Sequence, residues 1–218
     1  MVRCVLFDLD GTLIESSVLY AACIKAALAG EHGSSQSFDS ITDLRRATAE
    51  RAFLVDWLGE EVGTRVHGRL CDAYEARAGE LLGGLYNGVA ELLEGLRVSG
   101  MPMGIVSGKS RRAFAATCAS MEVPDVFDVV VLEDDVSAPK PDPAGLLRAL
   151  ASLGAKASET VYVGDTLADL EAARQAGMVG ACALWSRSDD ERRRISAGLT
   201  SDVWALHAPK ELAARLFL

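Results

Sequence analysis

The sequence predicts an α/β protein built on a doubly wound, mainly parallel sheet, interrupted early by a helical insertion. Two observations carry this. From about residue 87 onward, short apolar runs alternate with helical segments of about ten to fifteen residues, the pattern of parallel strands joined by crossover helices. The stretch between the first strand and the second is far longer than one crossover helix requires, and it carries no strand signal. An all-helical module is therefore expected at residues 15–86, with the α/β core at residues 1–14 and 87–218.

The first strand is the apolar run from Val2 to Phe7, broken only by Arg3, and it ends in Asp8-Leu9-Asp10-Gly11-Thr12. Delivering two carboxylates to the tip of a buried strand costs roughly several kcal/mol each unless a cation or strong hydrogen bonds compensate. Positive charge is expected there. Val18, Leu19, Ala22, Cys23, Ala26 and Ala27 then recur at helical spacing, with Ser16-Ser17 as the cap. Further helices are expected over Ile41 to Leu58 and Glu60 to Leu82, before Gly83-Gly84 and Asn87-Gly88 punctuate the chain.

The core alternation follows: a helix from Val89 to Val98, a strand from Met101 to Val106, a helix from Ser110 to Met121, and a strand from Val129 to Leu132. Pro141-Asp142-Pro143 opens the next helix, with Asp142 suited to the N-cap and Pro143 to the first helical position. A strand at Val161 to Val163, a helix from Thr166 to Ala176, a strand from Ala181 to Trp185 and a closing helix near Lys210 to Leu216 complete the pattern. No repeat or low-complexity segment interrupts it.

At 218 residues, half of them hydrophobic and about a quarter charged, the chain can bury a sizeable core. A formal net charge of −9 argues against nucleic acid or an anionic membrane surface as the main partner. The first apolar run is too short for a signal peptide, and no stretch approaches the roughly 20 apolar residues of a membrane span. Cys4, Cys23, Cys71, Cys118 and Cys182 are widely spaced with no C-x-x-C pair, so they read as reduced, mostly buried thiols. A cytoplasmic protein is expected, monomer or homodimer.

In such a sheet, ligands bind beyond the carboxyl ends of the strands. Those ends carry Asp8 and Asp10, then Ser107-Gly108-Lys109, then Lys140 at some distance, then Gly164-Asp165 with Asp169. Asp8-Leu9-Asp10-Gly11-Thr12, the Ser107 position, Lys140 before Pro141-Asp142-Pro143, and Gly164-Asp165-Thr166-Leu167-Ala168-Asp169 resemble, in this order, the motifs of the haloacid dehalogenase superfamily. The fit is to its phosphoglycolate-phosphatase-like branch, which Ala172 to Met178 also resembles. The resemblance covers about residues 1–14 and 87–185, and in the insertion it is only architectural. It implies a Rossmann-like core with a helical cap domain.

The same resemblance implies a magnesium-dependent phosphatase acting on a small phosphorylated metabolite through an aspartyl-phosphate. Asp8 would be the nucleophile and Asp10 the acid/base, and strand alternation places both on one side. Gly11 would let backbone amides approach the phosphoryl group, and Thr12 would orient Asp10. Ser107 would donate to a phosphoryl oxygen, and Lys140 would hold the phosphate and Asp8 together. Gly108 stands where the family commonly has asparagine, so a backbone amide would serve there. The implied magnesium ligands are the Asp8 carboxylate, the Asp10 backbone carbonyl and the Asp165 carboxylate, an oxygen set that suits this hard ion. Asp169 has two readings, a role behind the metal site and a capping role in Thr166-x-x-Asp169.

Alternatives stay open at this point. A sugar phosphomutase would use the same core chemistry, and an inactive binding protein would keep the fold alone. Haloacid dehalogenases lack the second aspartate, so Asp10 counts against dehalogenation. Phosphonoacetaldehyde hydrolases also replace that acid and need a cap lysine, for which Lys25 is the candidate. His32, His67 and His207 lack partner spacing and default to the surface. Arg192-Arg193-Arg194, after Asp189-Asp190-Glu191, reads as a solvated helix face, as do Lys25, Arg45 and Arg46 in the insertion. The metabolite is not named by the sequence.

Overall fold

A computed structural model describes residues 1–29 and 49–217. Arg45, Arg46, His32 and the first part of the helix expected from Ile41 lie outside the described residues. The strands are β1 (Cys4–Phe7), β2 (Met103–Val106), β3 (Val129–Val131), β4 (Thr160–Gly164), β5 (Val179–Ala183) and β6 (Trp204–Leu206). They form one sheet in the order β3-β2-β1-β4-β5-β6, with every ladder parallel. The chain winds outward from β1 to β3, then returns to lay β4 on the other side of β1. The β1/β4 boundary is therefore the topological switch point, where this architecture opens a crevice. Phe7 pairs with Ile105 and with Val163, so the residues that follow β1, β2 and β4 emerge at one level.

The helices are α1 (Ser17–Ala27), α2 (Glu50–Leu58), α3 (Glu60–Leu81), α4 (Val89–Val98), α5 (Arg111–Ser120), α6 (Ala144–Leu153), α7 (Leu167–Ala176), α8 (Asp189–Gly198) and α9 (Pro209–Phe217). β1 is buried along its whole length, as a strand covered on both faces must be. Val5 and Phe7 pack toward Leu92, Leu93 and Leu96 of α4 and Leu212 of α9. Cys4 and Leu6 alternate to the other face, against Leu146 and Leu150 of α6 and Ala172 and Ala173 of α7.

Between β1 and α4 the described residues include three helices outside the sheet. α1, α2 and α3 share a core of Leu19, Cys23, Ile24, Leu54, Val66, Leu70 and Tyr74, to which α5 contributes Ala113. The chain leaves and re-enters along paired segments: the Glu15 amide donates to the Gly84 carbonyl at 2.9 Å, the Gly83 amide to the Glu15 carbonyl at 2.8 Å, and the Tyr86 amide to the Leu13 carbonyl at 3.0 Å. A Cβ on Gly83 would sit 2.8 Å from Glu15 Cγ, so the close pairing requires glycine there. Glu133 of the core accepts from the Arg51 and Ala52 amides at 3.0 and 3.1 Å, which caps α2 from across the interface.

Several local expectations shift. α6 begins at Ala144 with Pro143 at the N-cap, one residue later than expected, although the Asp142 carboxylate still accepts from the Ala144 amide at 2.9 Å. Ser16 flanks α1 without capping it, because its hydroxyl is drawn to Asp10. β5 starts at Val179 rather than Ala181, and the edge strand β6 is too short to announce itself by periodicity. All five cysteines are free thiols, four buried and Cys118 exposed. Among the described residues, no helix is long and apolar enough to cross a membrane.

Leu146 is fully buried between α6 and the sheet, whereas Val98 is 71% exposed. Chemical denaturation should show Leu146→Ala losing about 2–5 kcal/mol, and Val98→Ala changing by less than about 0.5 kcal/mol. Similar losses at both positions would contradict the packing described.

Candidate active site

β1 does not stop sharply. The Asp8 amide donates to the Val163 carbonyl at 2.8 Å, which extends the ladder and fixes Asp8 at the crevice floor. A tight loop follows, closed by the Leu13 amide on the Leu9 carbonyl at 2.8 Å and the Gly11 amide on the Ile14 carbonyl at 3.0 Å. Gly11 has φ +79°, and a Cβ there would lie 2.5 Å from Asp165 Oδ2. Glycine is thus required twice over, by conformation and by the approach of that carboxylate.

Lys140 gathers the floor. Its ammonium donates to Asp8 Oδ1 at 2.8 Å, Asp169 Oδ1 at 2.6 Å and the Tyr162 hydroxyl at 2.9 Å. The Tyr162 hydroxyl in turn reaches the Val106 carbonyl at 2.9 Å and Asp169 Oδ1 at 3.1 Å. Asp169 also accepts from the Thr166 amide at 3.0 Å and the Thr166 hydroxyl at 2.6 Å, in a capping box that opens α7. One oxygen caps the helix, as the capping reading expects, and the other faces Lys140. Ser107 is buried after β2 and accepts from the Lys109 amide at 3.2 Å, and Gly108 beside it lines the cavity.

Asp165, at the tip of β4, is buried and paired with Arg187, whose Nη2 also reaches the Asp165 carbonyl at 3.1 Å. Arg187 sits in the loop after β5. Arg192 holds that loop by donating to the carbonyls of Leu184, Trp185 and Arg187 at 3.0, 3.2 and 2.9 Å. Arg193 and Arg194 are solvent-exposed as expected, but Arg192 is not simply a solvated helix residue.

Asp10 lies on the insertion side. Ser16 Oγ donates to its Oδ1 at 2.6 Å, and Lys109 Nζ stands 3.1 Å from its Oδ2. Ser16 thus takes the orienting part expected of Thr12, whose buried hydroxyl has no hydrogen-bond partner among the described residues. Lys109 is fully buried and also donates to the hydroxyls of Tyr20 at 2.9 Å and Tyr74 at 3.0 Å. The Tyr20 hydroxyl donates to Glu50 Oε1. Glu50 further pairs with His67 Nε2 at 3.6 Å, and that nitrogen lies 3.6 Å from Cys71 Sγ. His67 therefore does not follow the surface default: it shares a helix face with Cys71 four residues on, and both meet a glutamate from α2. Lys25 is exposed on α1 and does not line the cavity.

The electrostatics separate these acids. Burial pushes the Asp8 carboxyl up, Lys140 pulls against it, and the net position is about 7. Burial also holds Asp165 well above the usual carboxylate range, against the pull of Arg187. For Asp169 burial is outweighed by Lys140 and the Thr166 donors, so its carboxyl is held low. For His67 burial is outweighed by Cys71 and Glu50, which raise it to about 10. Oxygens of Asp8, Asp165 and Asp169 lie within 4.8 Å of one another. Three carboxylates face two cations, Lys140 and Arg187, and every donor on offer is a hard oxygen. That composition fits a divalent cation such as magnesium. A cavity of about 130 Å³ lies above, walled by Asp8, Asp10, Ser107 and Lys140 from the core and by Tyr20 and Glu50 from the insertion.

The crevice thus brings together Asp8, Asp10, Gly11, Ser107, Gly108, Lys140, Asp165 and Asp169. It adds Ser16, Tyr20, Glu50 and Arg187, to which sequence reasoning assigned no site role, and Lys109, which it placed at a strand end without a role. Of these, only Lys109 carried a signal, its place at a strand tip directly after Ser107-Gly108.

Comparison with known proteins agrees with this geometry. A family profile described as haloacid dehalogenase-like hydrolase matches residues 5–183. A phosphoglycolate phosphatase of Pectobacterium atrosepticum is 36% identical over 183 residues, spanning 81% of this chain and 77% of its own. One from Yersinia pseudotuberculosis is 34% identical over 183 residues, spanning 81% of this chain and 78% of its own. Among solved structures, a hydrolase from Pseudomonas syringae superposes with TM-score 0.79 at 25% identity, over 98% of this chain and 97% of that one. CbbY of Rhodobacter sphaeroides, solved with xylulose-(1,5)bisphosphate, superposes with TM-score 0.80 at 22% identity, over 97% and 96%, and shares the fold.

The charge states have a measurable consequence. With Asp8 raised from 3.8 to about 7, the folded protein free of divalent cations holds a proton that the unfolded chain has released. Stability contributed by Asp8 is therefore full below about 4 and lost as the pH rises through about 7. Asp165 acts in the same direction, and Asp169 acts oppositely only as the pH falls below its usual range. In chelator-treated protein the thermal midpoint should fall across that window, and Asp8→Asn should make the slope shallower. A wild-type midpoint that rises across the window would contradict the assignment.

Proposed function

The chain belongs to the haloacid dehalogenase-like hydrolases and is a phosphatase, and on that premise we propose that it hydrolyses a small phosphomonoester through a phosphorylated Asp8. The observation that carries this reading is the 2.8 Å contact between Lys140 and Asp8 Oδ1, at the switch point and beside Asp10. Lys140 holds one carboxylate oxygen, which leaves the other to attack phosphorus. A bond forms between Asp8 and phosphorus as the bond to the leaving oxygen breaks, and Asp10 supplies the proton that oxygen needs. Asp10 then takes a proton from water, whose oxygen attacks the phosphorus and releases phosphate and a free Asp8.

The surrounding residues divide the remaining work. The Ser16 hydroxyl orients Asp10 at 2.6 Å. The Ser107 hydroxyl, the Gly108 amide and the loop at Gly11, which line the cavity, would bind phosphoryl oxygens. Thr12 belongs to that loop but has no part at the cavity wall. Asp8, Asp165 and the Asp10 backbone carbonyl would hold magnesium, which when bound neutralises charge on the phosphoryl oxygens. Asp169 serves from behind by fixing Lys140. The insertion contributes Tyr20 and Glu50 to the cavity wall, where it would limit the access of bulk water.

The phosphoglycolate phosphatases among the relatives support a short phosphorylated acid as substrate. A sugar phosphomutase would use the same core residues and pass the phosphoryl group to a second sugar hydroxyl instead of to water. Free thiols at all five cysteines support a reducing, cytoplasmic setting.

Phosphate release should be assayed with phosphoglycolate, sugar phosphates, nucleotides and pyrophosphate. Asp8→Asn is expected to lower turnover by about 10³-fold or more while the protein still melts cooperatively. Chelation should stop wild-type turnover and added magnesium should restore it. An Asp8→Asn protein within about tenfold of wild type would overturn the covalent route.

A further inference from the structure

Behind the wall of the active cavity, a second group of side chains converges without supplying anything to the transfer described above. His67 and Cys71 stand four residues apart on one face of α3, and Glu50, the first residue of α2, meets them from the neighbouring helix. His67 Nε2 is 3.6 Å from Glu50 Oε2 and 3.6 Å from Cys71 Sγ. Ligand atoms of all three residues lie within 4.8 Å of one another. The Glu50 side chain is 8% exposed, that of His67 is 16% exposed, and Cys71 is buried. At 3.6 Å the imidazole and the carboxylate are too far apart for a hydrogen bond, and one ring nitrogen cannot aim a single N–H at both oxygen and sulfur. The same spacing is close to the edge of a tetrahedral metal shell, about 3.3–3.6 Å for bonds of about 2.0–2.3 Å.

We propose that Glu50, His67 and Cys71 form a site for a borderline-soft divalent transition metal such as zinc, separate from the oxygen site at Asp8 and Asp165. Imidazole, thiolate and carboxylate are the ligands zinc takes, whereas magnesium selects oxygen. The thiol proton and any proton on Nε2 leave for solvent as the ion enters, so thiolate and carboxylate balance its charge. Supporting contacts that orient a ligand are in place: the Tyr20 hydroxyl donates to Glu50 Oε1, and the Ser110 amide reaches Oε2 at 3.4 Å. The Ser110 hydroxyl, 3.5 Å from Cys71 Sγ, stands at the edge of the site and leaves the fourth position to itself or to water. An open cavity of about 440 Å³, walled by His67, Ser110 and Glu133, gives the ion a path from solvent. Bound there, the ion would join α2 to α3 and, through Glu50, hold Tyr20 at the wall of the active cavity.

This site does not depend on the phosphatase reading, so its test needs no substrate. Cobalt(II) is added to chelator-treated protein in the presence of excess magnesium. Cobalt bound to a thiolate absorbs in the near ultraviolet by charge transfer from sulfur, and cobalt on oxygen ligands does not, so the band reports this site alone. One equivalent of cobalt should produce the band, zinc should abolish it by displacement, and Cys118→Ser should leave it unchanged. Cys71→Ala should remove it, and His67→Gln should weaken cobalt binding about tenfold or more. If Cys71→Ala does not melt cooperatively, His67→Gln, at a partly exposed position, decides instead. No band in the wild type at a large excess of cobalt would overturn the proposal. So would a band that survives Cys71→Ala, a band lost with Cys118→Ser, or unchanged affinity in His67→Gln.

Discussion

The pairing of one buried ammonium with two buried carboxylates is the constraint on which the site depends. Lys140 is held by Asp8 at 2.8 Å, Asp169 at 2.6 Å and the Tyr162 hydroxyl at 2.9 Å. These groups come from the tip of β1, the first turn of α7, the middle of β4 and the segment before α6. Leaving one member of a buried pair uncompensated costs about 3–5 kcal/mol. The exposed pairs, such as Arg97 with Glu94 at 2.7 Å, are screened by solvent and contribute little. The interior cluster therefore decides how four segments meet, and the surface pairs do not.

The two neighbouring aspartates stand in different surroundings. Asp8 shares Lys140 with Asp169 under deep burial, which favours an oriented carboxylate whose charge must be matched by cations. Asp10 sits among a serine hydroxyl, an ammonium and two tyrosines, with Ser16 and Tyr20 supplied by the inserted segment. The overall charge of −9 is no obstacle to an anionic substrate. Lys140, Lys109 and Arg187 are concentrated where that substrate would lie, and the acidic surface is further away.

The floor of the site was legible in the sequence because it lies at strand ends. Asp8, Ser107 and Asp165 each follow a short apolar run directly, so a parallel sheet alone is enough to bring them level. Lys140 and Asp169 were legible through neighbouring turn and cap chemistry. The wall was not legible. Tyr20 and Glu50 meet Lys109 only when α1 and α2 fold over β2, and no helical period in the insertion marks the residue that will face inward. Thr12 shows the reverse error: it lies in the motif, yet Ser16, four residues on, makes the bond to Asp10. The start of α6 lies one residue later than expected, with Pro143 at the N-cap and Asp142 just before it, because both residue types suit a helix entry and composition does not fix which is the cap.

Reduction of the enzyme with borohydride during turnover bears most directly on the covalent role of Asp8. An acyl phosphate is reduced to an alcohol, whereas a free carboxylate is not, so peptide mass spectrometry reports which side chain carried the phosphoryl group. Conversion of Asp8 to homoserine, dependent on substrate and absent without it, is the expected result. Conversion at Asp10 or Asp165 instead, or turnover with no residue converted, would contradict Asp8 as the nucleophile.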